Sequence, residues 1–173
     1  MGALALATLF TCTAVPASAD ATGDVRTAMI KLASLNSFRV TLPKTGTMDY
    51  VRPNAMHMTG NGREMYMFGS TMYMKPPGRK WMKMENPGGR NTPIVDWTRV
   101  TKDDAAKVSA TDLGMRSVGG ETLHAYRMTS KTGSRSTVYI ARDGFVHRVE
   151  GDRPDSALTF SMFNAVAPFR PPM

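Results

Sequence analysis

Between Phe38 and Met84 the chain repeats one device: short runs in which apolar side chains fall on every second position, each closed by residues that reverse the chain. A period of two belongs to a strand with two different faces and does not fit the 3.6-residue period of a helix. Phe38, Val40 and Leu42 begin the pattern, and four Met-x-Met pairs continue it: Met56 and Met58, Met65 and Met67, Met72 and Met74, Met82 and Met84. Asn61-Gly62 and Gly69-Ser70 match two-residue hairpin loops, and Gly119-Gly120 and Asp143-Gly144 mark two more reversals. Connections this short cannot make parallel crossovers, so sequence neighbours are expected to pair as an antiparallel meander. Eleven strands are expected, near 37–43, 46–52, 55–60, 63–68, 71–75, 80–84, 113–118, 121–130, 135–142, 145–151 and 156–163.

Two segments depart from that period. Asp24 is placed to cap an amphipathic helix in which Val25, Ala28, Met29, Leu32 and Leu35 recur at spacings of three and four, with Asn36 as its stop. From Glu85 to Ala110 the alternation fails: Pro87, Gly88, Gly89 and Pro93 give a loop, and Asp103 to Ser109 a short helix. Loops of that length in compact domains serve as lids or binding loops. The class is α+β, mainly antiparallel β, as one domain over 20–167 with a flexible tail at 168–173, whose three prolines predict extended chain.

The first nineteen residues carry no charge, and Ala3 to Val15 has the length of a secretory apolar core, too short to cross a bilayer as a helix. Ala17-Ser18-Ala19 follows with the small-x-small pattern of a signal-peptidase site, so residues 1–19 are read as a signal peptide cleaved before Asp20. Cys12, the sole cysteine, leaves with it, and a thiol-free mature chain suits an oxidising compartment, the periplasm. Leu9-Phe10-Thr11 lacks the small residue that a lipoprotein box places before its cysteine. The net charge of +8 favours anionic partners, either lipid head groups or nucleic acid. Arg63, Arg79, Lys80 and Lys83 beside Tyr66 and Trp81 imitate a nucleic-acid stripe, but export removes that partner. An anionic membrane surface remains.

Fifteen methionines are an unusual number for this length, and the pairs concentrate eight of them within thirty residues. A spacing of two sets both members of a pair on one face of the sheet. Flexible, polarisable thioethers can line a surface for a floppy apolar ligand or fill a core beneath the helix. Tyr66, Phe68, Tyr73 and Trp81 take the opposite parity, so both faces carry large apolar groups and periodicity does not say which one packs the helix. Thioethers also select Cu(I), and Met56-His57-Met58 adds an imidazole, which makes a methionine-based copper(I) protein the competing reading. On a strand, however, His57 points away from both methionines.

Catalytic constellations are missing from the sequence. His57, His124 and His147 are widely separated and form no H-E-x-x-H, and there is no G-x-S-x-G elbow, P-loop or G-x-G-x-x-G. Lys44-Thr45-Gly46 and Lys131-Thr132-Gly133 spell a K-T-G, but no serine is followed by x-x-Lys, so both are read as hairpin turns. No enzyme, cofactor or metal site is assigned.

Three local stretches carry a resemblance. Tyr50 to Met58 contains Arg52-Pro53-Asn54 between two strands, Gly69 to Met74 is a G-x-x-x-Y hairpin, and Ser136 to Val149 is similar to a t-x-W-I-d…G…v hairpin. With the order of elements, these resemble the LolA/LolB-like periplasmic lipoprotein carrier superfamily, which includes the RseB N-terminal domain and the LppX and LprG lipoproteins. The resemblance implies an incomplete, half β-barrel whose concave apolar side, covered by the helix and a mid-chain lid, holds the acyl chains of a lipid or lipoprotein. Phe38, Val40, Tyr50, Met56, Met58, Met65, Met67, Met72, Met74, Met82 and Met84 would line that cavity, and Arg52 matches the family's lid-and-release arginine. Ala55 replaces the aromatic residue that follows R-P-N in LolA, so a general relative is expected. An envelope donor or acceptor protein is an implied partner, and an RseB-like lipoprotein-sensing domain the alternative to a carrier.

Overall fold

The computed structural model describes residues 20–85, 101–130, 133–153 and 156–172. The signal segment, most of the expected mid-chain loop and Lys131-Thr132 lie outside the described residues.

Helix α1 (Ala21–Ala33) is followed by β1 (Ser37–Leu42), β2 (Gly46–Val51), β3 (Ala55–Gly60), β4 (Arg63–Phe68), β5 (Thr71–Lys75) and β6 (Met82–Glu85). Then come the short helix α2 (Lys102–Ala106), β7 (Ser109–Val118), β8 (Glu121–Thr129), β9 (Arg135–Ile140), β10 (Val146–Gly151) and β11 (Leu158–Ser161). All eleven strands form one antiparallel sheet in the order β6-β5-β4-β3-β2-β1-β11-β10-β9-β8-β7. It is two meanders joined at the pair β1·β11, where Val40 faces Phe160. β6 and β7 end the sheet without meeting, so the barrel is incomplete, as expected.

The turns follow the chemistry of their residues. Asn61 and Gly62 both take positive φ, 51° and 70°, the requirement of a tight hairpin loop whose twist matches its strands. Lys44-Thr45-Gly46 closes the β1–β2 hairpin, where Thr45 N donates to Leu42 O.

Several boundaries differ from expectation. The cap of α1 is Asp20, which accepts from Gly23 N, and the helix ends at Ser34 instead of Asn36. Asp24 sits in the first turn, its carboxylate taken by the Tyr126 hydroxyl at 2.9 Å. Strand β7 begins four residues earlier than the alternation suggested, because Ser109 to Asp112 pair with Tyr126 to Thr129 and a register shift follows at Asp112/Gly114. Helix α2 is correspondingly shorter, and is closed by a capping box between Thr101 and Asp104.

Val25, Ala28, Met29 and Leu32 of α1 pack with Phe38, Val40, Val138, Val146 and Phe160 in one core, which defines the inner face of the sheet. The helix lies over β7–β10 and α2, and makes no close approach to β1–β6. Arg26 fixes α2 to it, donating to the carbonyls of Ala105, Ala106 and Val108 at 3.0, 2.8 and 3.0 Å. Half of the inner face is therefore roofed by α1, and among the described residues no helix packs on the other half.

Candidate functional site

The uncovered half is where the methionines stand. Register aligns the pairs into two continuous ladders across the first meander. One runs Val40, Met48, Met58, Met65, Met74, Met82, and the other Phe38, Tyr50, Met56, Met67, Met72, Met84. Directly opposed residues of an antiparallel pair share a face, so the eleven residues expected in a cavity all lie on one side. That side is the inner one, since Phe38, Val40, Met48, Tyr50, Met56 and Met67 belong to the core that α1 closes.

Burial falls along each ladder with distance from the helix. Met48 is 1% exposed, Met58, Met65 and Met74 are half-buried, and Met82 on the edge strand is 39% exposed. In the second ladder Met56 and Met67 are buried, whereas Met72 and Met84 are half-buried. The ladders thus begin in dry core, pass through half-buried methionines, and in the first reach an exposed Met82. Phe38 anchors the buried end, with its ring 5.3 Å from Tyr50 and 6.0 Å from Phe160.

A groove of about 470 Å³ opens where the first ladder meets the hairpin loops, lined by Leu42, Thr45, Thr47, Met58, Thr59, Gly60, Asn61, Arg63, Met65 and Met74. Two glycines shape it. A Cβ on Gly46 would stand 1.8 Å from the Thr59 carbonyl oxygen, and one on Gly60 1.6 Å from that of Thr45. Only glycine permits this approach of β2 and β3, and it leaves the rung beyond Met48 and Met58 bare.

The outer face carries the opposite parity. Arg39 forms a two-pronged ion pair with Asp49 at 2.6 and 2.8 Å. His57 stacks on Tyr66 at 4.1 Å, and both reach the Glu64 carboxylate, at 3.0 and 3.1 Å. Burial, and then the bond to Glu64, raises the Tyr66 phenol above its ordinary value. Met56-His57-Met58 therefore divides between the two faces and does not converge on one ion. From β11 the chain crosses this outer face: Asn164 N donates to Ser37 O at 2.7 Å, and the Phe169 ring lies 5.7, 5.7 and 5.9 Å from those of His57, Tyr66 and Phe68.

Arg52 stands in the β2–β3 turn, at the end of the sheet away from the groove, where its Nε donates to Leu35 O at 2.9 Å. It ties that turn to the link between α1 and β1. Sequence reasoning missed Met48, although its spacing of two from Tyr50 was the available signal. It also missed Leu42 and the two glycines, whose part depends on how close two backbones come.

The two joined meanders, helix α1 and the incomplete barrel are shared with solved structures. The first comparison structure is the Mycobacterium tuberculosis lipoprotein LppX, with a TM-score of 0.61 over 85% of this chain and 96% of LppX, at 19% identity. The chain shares the fold of LppX. Weaker matches are MucB in complex with MucA(peri), with a TM-score of 0.36, 14% identity and coverage of 83% of this chain and 54% of MucB, and a LolA superfamily protein from Nitrosomonas europaea, with 0.29, 12%, 83% and 92%. No family model and no curated protein matches the sequence. Among the described residues, no helix is long and apolar enough to cross a membrane, and no three His, Cys, Asp or Glu side chains gather as metal ligands.

Proposed function

We propose that this chain is a non-enzymatic periplasmic carrier that binds the acyl chains of a lipid or lipoprotein along the methionine ladders of its inner face. The observation that carries the reading is the gradient from Met48 to Met82: an apolar track continuous with the core that, among the described residues, no helix covers. Partly exposed apolar side chains at the end of a continuous apolar track cost free energy unless something covers them, and a guest chain would supply that cover. Thioether side chains suit a flexible guest because they re-pack without a fixed rotamer. The groove volume falls within the range of about 300–1,000 Å³ usual for small-molecule sites.

Burial of a ten-carbon segment would contribute about 8 kcal/mol at roughly 0.8 kcal/mol per CH₂, before the cost of ordering the chain is subtracted. No reacting group is needed for capture of this kind. The shared fold with the lipoprotein LppX is compatible with the reading. Export, with cleavage before Asp20, belongs to the same proposal.

The test is recovery of the protein from the periplasm followed by native mass spectrometry. Co-purifying masses that dissociate as lipids or acylated peptides are expected. Lipid-free protein that also refuses a fluorescent fatty acid would overturn the proposal.

A further inference from the structure

We propose that the groove end of the first meander is a docking rim for an anionic bilayer, with Arg63, Arg79 and Lys80 meeting the head groups. In an antiparallel meander alternate turns share one end, so the loops 43–45, 61–62 and 76–81 gather together. They are contiguous, since a Cβ on Gly62 would lie 3.6 Å from Pro77. These three turns contain Lys44, Arg79 and Lys80 and no carboxylate, and Arg63 stands one residue inside the strand. Arg63, Arg79 and Lys80 are exposed. The nearest acid in the strand sequence, Glu64, is on the outer face and is engaged by His57 and Tyr66.

Charge and apolar surface converge at this rim. Arg63 lines the mouth of the groove together with Met58, Met65 and Met74. Trp81 closes the β5–β6 turn, half-buried, 5.5 Å from Tyr66 and 5.8 Å from the Lys75 ammonium. An aromatic ring with a polar handle beside cations suits the bilayer interface, and an anionic leaflet attracts each basic residue near it. A protein held by this rim presents the mouth of the groove, lined by Met58, Met65 and Met74, to the acyl region. That orientation rests on the acyl-binding reading; the electrostatic docking does not.

Sedimentation with vesicles tests it, using phosphatidylcholine alone and phosphatidylcholine with about a third phosphatidylglycerol. The chain is expected to prefer the anionic vesicles and to lose that preference in high salt. At about fivefold per cation, R63Q/R79Q/K80Q should weaken anionic-vesicle binding roughly 100-fold. The control R116Q/R127Q/R142Q removes three exposed arginines of the second meander and should bind nearly as the parent does. Equal losses in both variants would mean that net charge alone acts, and no preference for anionic vesicles would mean no docking; either result overturns the inference. Uptake of a fatty-acid probe from solution is measured in parallel. If the parent takes up none, the acyl reading fails while the docking result stands by itself; if the rim variant keeps uptake but loses transfer from anionic vesicles, both hold.

Discussion

Alanine substitution along the first ladder should separate stability from binding. Met48, 1% exposed in the main core, is pure core, and replacing it leaves a cavity that neighbours on a packed sheet cannot fill. Buried Met→Ala changes cost about 2–5 kcal/mol. At about 2–4 °C per kcal/mol for a chain of this size, a 3 kcal/mol loss lowers the melting temperature by roughly 6–12 °C. Met82, 39% exposed on the edge strand, has little packing to lose, so Met82→Ala should cost less than about 1 kcal/mol. Met65 and Met74 lie between these limits and line the groove. Each should destabilise by an intermediate amount while removing about 1–2 kcal/mol of contact with an acyl chain, a five- to thirtyfold weaker affinity. Thermal melts and titration with an environment-sensitive fatty acid read the two quantities on the same variants. The reasoning is refuted if Met65→Ala and Met74→Ala bind the probe as the parent does, or if Met82→Ala melts as early as Met48→Ala.

Other outcomes follow from particular contacts. Gly60→Ala forces a methyl group against the Thr45 carbonyl and should cost about 3 kcal/mol or more, visible as a large drop in urea midpoint; a midpoint near the parent's would show that the two strands can part cheaply. Phe169→Ala removes three ring contacts from the outer face, worth about 1–2 kcal/mol, and should speed amide exchange in residues 164–172 while leaving α1 protected. Exchange unchanged in that segment would mean the tail is held by other contacts. Because burial and Glu64 raise the Tyr66 phenol above 10.0, its contribution to stability is complete below that pH and is lost as the pH climbs through the raised value. Ultraviolet titration of Glu64→Gln should therefore show one tyrosine ionising earlier than in the parent, and coincident curves would contradict the assignment.

Much of this architecture was legible because turn chemistry and alternation agree. Asn61-Gly62 pairs Gly60 with Arg63, which puts Met58 opposite Met65 and Met56 opposite Met67. Gly69-Ser70 does the same for Met67 with Met72 and Met65 with Met74. Two loops named from sequence thus already imply that three methionine pairs share a face. The side that packs the helix was not legible, because Tyr66, Phe68 and Tyr73 make the other parity equally apolar. The returning tail covers Tyr66 and Phe68 through Phe169, a contact between residues about a hundred positions apart, and Tyr73 packs on Phe68. The β1·β11 pairing is non-local in the same way. Asp20 and Asp24 are both suitable caps for α1; the helix starts one turn earlier, with Asp20 capping and Asp24 N bonded to Asp20 O, while the Asp24 carboxylate accepts from Tyr126. At the start of β7, Ser109, Ala110, Thr111 and Asp112 show little hydrophobic alternation, and pairing with β8 overrides their weak local preference.

Photolabelling addresses the central claim most directly: a diazirine-bearing fatty acid is cross-linked to the folded protein and the modified residues are mapped by peptide mass spectrometry. Adducts confined to inner-face positions such as Met58, Met65, Met74 and Met84, and competed away by unlabelled fatty acid, are the predicted result. Labelling of the outer-face rings Tyr66, Tyr73 and Phe169 instead, or adducts scattered without competition, would contradict it.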